Sequence, residues 1–185
     1  MAVGARLTLF FPFWRTYITD CWVLQIIRLG YRIPFLSHPG HRFVATLLPR
    51  DGDRASAMLE GVRSMLLKGA VVPVPPDQEG LGFYSTLFMV QKVNGRWRPV
   101  LNLKRLNEFV VVDSFKMVTL QGIIPLLLEG DFLVTLDLQD AYFHVPMHPE
   151  CQQFLRFAVD GRHFQFRVLP FGLATSPRVF TKVLA

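Results

Sequence analysis

Three observations on the 185-residue sequence predict an α+β fold. Two β-prone runs, Phe83–Val93 and Arg96–Asn107, meet at Asn94-Gly95. Two alternating runs within Phe154–Val168 meet at Asp160-Gly161. Both dipeptides suit tight hairpin turns, because their residues tolerate positive φ. The helical part comes from the stretch after Asp53, where Met58, Leu59, Val62, Met65 and Leu66 recur at helical spacing. Composition agrees: 51% of the residues are hydrophobic, more than a disordered tail carries, so the chain should pack. Its length suits one compact domain with a sizeable core, or a fragment of something larger.

At the N-terminus, "LTLFFPFW" (Leu7–Trp14) is apolar but short and broken by Pro12, well under the roughly 20 residues that span a bilayer. No small-residue cleavage pattern follows it, so neither a membrane span nor a signal peptide is predicted. Cys21–Tyr31 fits a short helix or an extended apolar segment, and Ile33–Phe43 is loop, punctuated by Pro34, Pro39 and Gly40. A helix follows, with Asp53 as N-cap, Gly69 at its stop and an apolar stripe facing the core. "AVVPVPP" then leaves it as extended chain, since proline excludes both helix and central strand. The first hairpin carries Lys92, Arg96, Arg98, Lys104 and Arg105. Spacing does not choose between a solvated basic face and a phosphate clamp. Thr119 is the expected cap of a further helix that buries Leu120, Ile123, Ile124 and Leu127 and stops at Gly130, shortened or kinked by Pro125. In the final stretch a Pro-Phe-Gly turn precedes Ser176 as N-cap and Pro177 as first helical residue, with Val179, Phe180, Val183 and Leu184 periodic behind them.

A formal charge of +6 and a sequence pI near 9.7 favour a polyanionic partner such as nucleic acid, and equally describe a merely basic surface. Cys21 and Cys151 lie far apart with no metal-type spacing, which reads as two ordinary thiols in a reducing compartment.

The chemistry concentrates in "LVTLDLQDAYFHVPM", residues 133–147. From Phe132 to Gln139 the alternation predicts a strand with Phe132, Val134, Leu136 and Leu138 on one face and Asp137 on the other, away from the core. An isolated carboxylate there is ordinarily just solvated. Its neighbourhood is unusual, because Asp140 is placed to cap a turn or short helix and leave the N–H groups of Asp140 and Ala141 free at its start. A carboxylate able to hold a metal beside amides able to hold a triphosphate is equipment for phosphoryl transfer.

Taken in order, "LFMVQKVNGRWRPVLNLKRLN", "LVTLDLQDAYFHVPM" and "FQFRVLPFGLATSPRVF" resemble the fingers and front half of the palm of a reverse transcriptase, over about Arg54 to Ala185. The wording is most similar to long-terminal-repeat and tyrosine-recombinase (DIRS-type) retrotransposon enzymes; "WVLQIIRLGYRIPF" and "GFYSTLF" point to the DIRS-type group. The resemblance implies a fingers and partial-palm fold over residues 54–185, with residues 1–53 as a family-specific N-terminal extension. It implies RNA-directed DNA polymerase activity, with deoxynucleoside triphosphates and an RNA or DNA primer-template as partners. Asp137 matches the first catalytic aspartate, which binds two magnesium ions together with the backbone carbonyl of Leu138. Tyr142 matches the aromatic gate under the sugar of the incoming nucleotide. Lys92 and Arg98 match the residues that grip the triphosphate, the amides of Asp140 and Ala141 its backbone cradle, and Phe171 and Gly172 the motif lying against nucleotide and template.

Asn102 and Lys104 depart from the family's usual aspartate and arginine; Phe171 departs from the retroviral glutamine but matches many retrotransposons. The family's tyrosine, any residue, Asp-Asp turn is missing from the chain. Two-metal chemistry needs several carboxylates, so the expectation is a palm truncated before that turn, inactive alone, with exposed apolar edge surface. The rival expectation is a non-catalytic nucleic-acid-binding remnant using Lys92 and Arg98 on phosphates. A ribonuclease H label would describe the parent element, since the acidic cluster that reaction needs is not in this sequence. Cytoplasm and nucleus both fit the thiols and the partner; secretion does not. Oligomeric state and host are not legible.

Overall fold

In the computed structural model, which describes residues 2–91, 95, 97–117 and 119–184, helices and hairpins alternate along the chain. Three helices come first: α1 (Arg6–Leu9), α2 (Phe11–Tyr17) and α3 (Cys21–Leu29). The Asp20 carboxylate accepts from the amides of Trp22 and Val23 at 2.8 and 3.2 Å, which satisfies otherwise orphaned donors and starts α3. Val23, Ile26 and Ile27 are its buried face, so the helical reading of Cys21–Tyr31 holds. Residues 33–43 form no regular element.

After the two-residue strand β1 (Ala45–Thr46) comes α4 (Gly52–Leu67), the longest helix among the described residues. Its cap is Asp51 rather than Asp53. Asp51 is extended and accepts from the amides of Asp53 and Arg54, while Asp53 lies in the first turn, where a negative charge suits the helix dipole. Met58, Val62 and Met65 are buried, and Gly69 turns the chain away at φ 67°. Residue 53, the expected boundary of the N-terminal extension, is therefore inside a helix.

A four-stranded sheet follows in the order β1, β5 (Arg156–Val159), β6 (Arg162–Phe166), β2 (Val71–Pro73). β1 is parallel to β5 and the other pairs are antiparallel. Pro73 is tolerated because β2 is an edge strand. The β5–β6 turn has Asp160 and Gly161 at φ 52° and 67°, as its sequence predicted. A separate hairpin pairs β3 (Leu87–Gln91) with β4 (Trp97–Leu101), Leu87 opposite Leu101. It is shorter than the β-prone runs, since Phe83 and Tyr84 make only isolated bridges and Lys104–Asn107 coils into α5. Lys92, Asn94 and Arg96 lie outside the described residues.

Among the described residues a hydrophobic cluster joins both ends of the chain: Ala5, Ile27 and Tyr31 from the N-terminal third share it with Val62, Leu101, Leu106, Leu155, Phe157 and Leu169. Beside it the buried Arg156 donates to the carbonyls of Gln78 and Leu81 and to both Gln side chains at 78 and 165, at 2.7 to 3.0 Å. Desolvation pushes its pKa down, and no carboxylate is among those acceptors.

Two expectations fail between residues 119 and 138. A helical turn α6 (Leu120–Ile123) passes at Pro125 into a 3-10 turn (Ile124–Leu126), short as Pro125 requires, but Thr119 makes no side-chain cap and Leu120, Ile123, Ile124 and Leu127 are all exposed. The expected strand Phe132–Gln139 is not a strand: residues 131–138 form no regular element, with Phe132 98% and Leu136 87% exposed. Alternation selects a face, but a strand also needs a neighbour to take its N–H and C=O groups, and no described strand pairs with this segment.

After a short helix α7 (Pro149–Gln152) and the β5–β6 hairpin, the chain closes with α8 (Ser176–Leu184). Ser176 is inside α8 rather than capping it; its hydroxyl donates to the Pro170 carbonyl at 2.8 Å. Val179 and Val183 are buried, whereas Leu184 is exposed. Among the described residues no helix is long and apolar enough to cross a membrane.

Candidate functional site

A cavity of about 500 Å³ opens where α4, β4 and the loop segments around residues 140 and 171 meet. Gly61 lets α4 approach β4: a Cβ at this position would lie 2.5 Å from Cγ of Pro99. Lys68 at the end of α4, Arg98 on β4, Asp140 and Phe171 face the space, as does Glu60, itself exposed. These charges balance, two cations against two carboxylates, so any pull on an anion is local rather than a net field.

Arg98 holds its guanidinium 4.8 Å from the Phe171 ring centroid, and its buried Nε has no acceptor among the described residues. Stacking on a ring leaves the in-plane N–H groups available to a second ligand. Phe171 in turn stacks on Tyr142 at 4.8 Å, and Tyr142 meets Phe180 of α8 at 5.2 Å. Burial pushes the Tyr142 hydroxyl above its ordinary pKa. Residues far apart in sequence thus form one aromatic stack capped by a cation.

Asp140 is in the left-handed region, φ 52° and ψ 41°, just before the 3-10 helix Ala141–His144. It does not cap that helix, as the sequence suggested, because a capping residue is ordinarily extended. Its Oδ2 instead lies 2.7 Å from Lys68 Nζ, a charge contact without the alignment of a hydrogen bond. The amides of Asp140 and Ala141 donate to no acceptor among the described residues. Gly172, at φ 93°, has its own fixed place: a Cβ would lie 2.9 Å from the Leu101 carbonyl. Asn107, which sequence reasoning passed over, holds this loop by donating to the Gly172 carbonyl at 2.9 Å and accepting from the Ala174 amide at 3.0 Å. Its only signal in the sequence is an amide at the end of a short helix, able to bond backbone in both directions.

The structure therefore brings Arg98, Asp140 and Phe171 to one cavity; Tyr142 joins them through its stack on Phe171, while Ala141 and Gly172 adjoin lining residues in the chain without lining the space themselves. Asp137 and Leu138 are not brought in: Asp137 is exposed, does not line the cavity, and has no ion pair among the described residues. Lys92 lies outside the described residues. Among the described residues no group of three His, Cys, Asp or Glu side chains is placed to hold a metal. One carboxylate and one carbonyl do not by themselves make a two-ion site.

The family model for reverse transcriptase (RNA-dependent DNA polymerase) matches residues 90–185. The Gag-Pro-Pol polyprotein of Mason-Pfizer monkey virus is 26% identical over 147 residues, 74% of this chain and 8% of that protein. The genome polyprotein of Petunia vein clearing virus is 31% identical over 94 residues, 51% of this chain and 4% of that protein. Among solved structures, prototype foamy virus protease-reverse transcriptase superposes with a TM-score of 0.60 at 20% identity, covering 83% of this chain and 21% of that one. The last likeness shows a shared α+β fold, that of the fingers and part of the palm. The chain spans only a small share of each of these relatives. Over more than half of its length it matches one model, and it belongs to the reverse transcriptase (RNA-dependent DNA polymerase) family.

Proposed function

We propose that this chain supplies the fingers and part of the palm of a retroelement RNA-directed DNA polymerase, most like the DIRS-type enzymes. Residues 54–185 are the polymerase portion and residues 1–53 a family-specific extension. A primer 3′-hydroxyl attacks the α-phosphate of a deoxynucleoside triphosphate, and pyrophosphate leaves in line. The cavity receives the triphosphate. Arg98 pairs with phosphate oxygens, the free amides of Asp140 and Ala141 donate to them, and Lys92 approaches from the hairpin turn. Tyr142 lies under the sugar, and Phe171 and Gly172 against the nucleotide and template. These groups contribute positioning and charge neutralisation, the main needs of phosphoryl transfer.

Magnesium belongs to this reading by the family resemblance: Asp137 and the Leu138 carbonyl would be among its ligands, although both lie outside the cavity in this structure. If bound, it would supply charge stabilisation at the reacting phosphate. Because this chain offers one carboxylate there, no step is assigned to the metal. For the same reason the 185 residues by themselves are expected to extend no primer; detectable magnesium-dependent extension by the purified chain would refute that.

The observation that supports the reading is the convergence of Arg98, Asp140 and Phe171, drawn from three separate motifs, on one cavity. The test is titration of the chain with deoxythymidine triphosphate and magnesium. Arg98→Ala should weaken binding about tenfold, the scale of one charge-assisted hydrogen bond; unchanged affinity overturns the assignment. The exposure of Asp137 outside the cavity favours one rival, a nucleic-acid-binding role without catalysis. That role predicts salt-sensitive RNA binding that ignores magnesium and survives Asp137→Asn.

A further inference from the structure

Asp140 holds a left-handed conformation at φ 52°, which aspartate enters more readily than most residues with a side chain but which the chain does not adopt by default. Contacts around it fix that choice. Its carboxylate meets Lys68 Nζ at 2.7 Å with both side chains mostly covered, 22% and 33% exposed. The same two elements are tied a second time by the N-terminal strap. The Gly4 amide donates to the Lys68 carbonyl at 2.7 Å, and the Ala5 amide donates to the Phe143 carbonyl at 2.8 Å. The strap is tight, since a Cβ on Gly4 would lie 2.1 Å from the Gly69 carbonyl oxygen. The end of α4, the strap and the turn at 140–144, which carries the two unengaged amides, are therefore fastened together.

We propose that Lys68 is a positioning residue for nucleotide binding: its ion pair with Asp140, seated by residues 4 and 5, holds the left-handed turn that presents the amides of Asp140 and Ala141. This rests on the reading above, that those amides meet a triphosphate. The Lys68 ammonium is engaged by Asp140, so it acts through the backbone and not on the phosphate.

The test measures deoxythymidine triphosphate binding, with magnesium, to the full chain. Lys68→Met and Asp140→Ala each weaken binding about tenfold, and the double variant is no weaker than either, because both remove one interaction. Lys68→Arg, which also pairs with a carboxylate, keeps affinity within about twofold. Asp140→Asn, which keeps the tolerance of the left-handed region and removes only the charge, weakens binding nearly as much as Lys68→Met. A lysine that only fills space leaves affinity unchanged in Lys68→Met, whose side chain occupies similar room, and in Asp140→Asn. Unchanged affinity in Lys68→Met, unchanged affinity in Asp140→Asn, or additive losses overturn the proposal. Tighter binding in Asp140→Ala also overturns it, by making Lys68 a direct phosphate ligand that the carboxylate restrains. Where Lys68→Met does not fold, seen as loss of a cooperative thermal transition, Lys68→Gln takes its place and Asp140→Asn is read beside it. If the unaltered chain binds no triphosphate, or Arg98→Ala binds as well as it does, the cavity assignment fails. If Arg98→Ala weakens binding and Lys68→Met does not, only the positioning role falls.

Discussion

The β5–β6 hairpin and the segment 131–138 carry the same kind of alternating apolar pattern and end in opposite states. Phe157, Phe164 and Phe166 of the hairpin are 0%, 2% and 4% exposed, against 98% for Phe132 and 87% for Leu136. β5 has a strand on each side, β1 and β6, and the left-handed Asp160-Gly161 pair folds β6 back onto it with no help from distant parts of the chain. The segment 131–138 has neither a hairpin partner nor a sheet edge among the described residues. Periodicity therefore says which side chains share a face, and neighbouring backbone decides whether that face is covered.

One series of urea unfolding measurements can break or sharpen this contrast. Phe157→Ala, at the centre of the packed region, should cost about 3–5 kcal/mol, since it removes a large buried ring and leaves a cavity. Asn107→Ala should cost about 1–2 kcal/mol, through the two backbone groups it leaves unpaired in the 172–174 loop. Phe132→Ala should change stability by less than about 0.5 kcal/mol, as an exposed side chain does. A large loss at Phe132 would mean that the segment is covered in solution and that the two regions do not differ as described.

Local signals in the sequence reached far into the fold. Asp160-Gly161 placed its turn, Pro73 and its fellow prolines marked an extended exit from α4 that is neither helix nor central strand, Pro125 shortened α6, and the stripe from Met58 to Met65 found the buried face of α4. What escaped was non-local or depended on one dihedral angle. Asp51 and Asp53 are equally good capping residues by type, and only the backbone at 51 decides between them. Asp140 read as a cap because its chemistry fits one; its left-handed φ sends the carboxylate to Lys68, 72 positions earlier in the chain. Asn107 and Lys68 have no spacing that marks them, because their partners, Gly172 and Asp140, are brought near only by the tertiary fold. Arg98, Tyr142 and Phe171 stand out through the resemblance to reverse transcriptases, and only the fold shows that they stack. Asp137 stands out through the same resemblance, and its exposed position shows that order along the chain does not by itself deliver a side chain to a cavity.

The central claim is that the space between α4, β4 and the turn at Asp140 takes a nucleoside triphosphate. Amide hydrogen exchange, compared with and without deoxythymidine triphosphate and magnesium, tests it most directly. The expected result is slowed exchange at Asp140, Ala141 and the neighbouring residues of β4, with residues 120–128 unchanged. Protection confined to other segments, or none at saturating nucleotide, would contradict it.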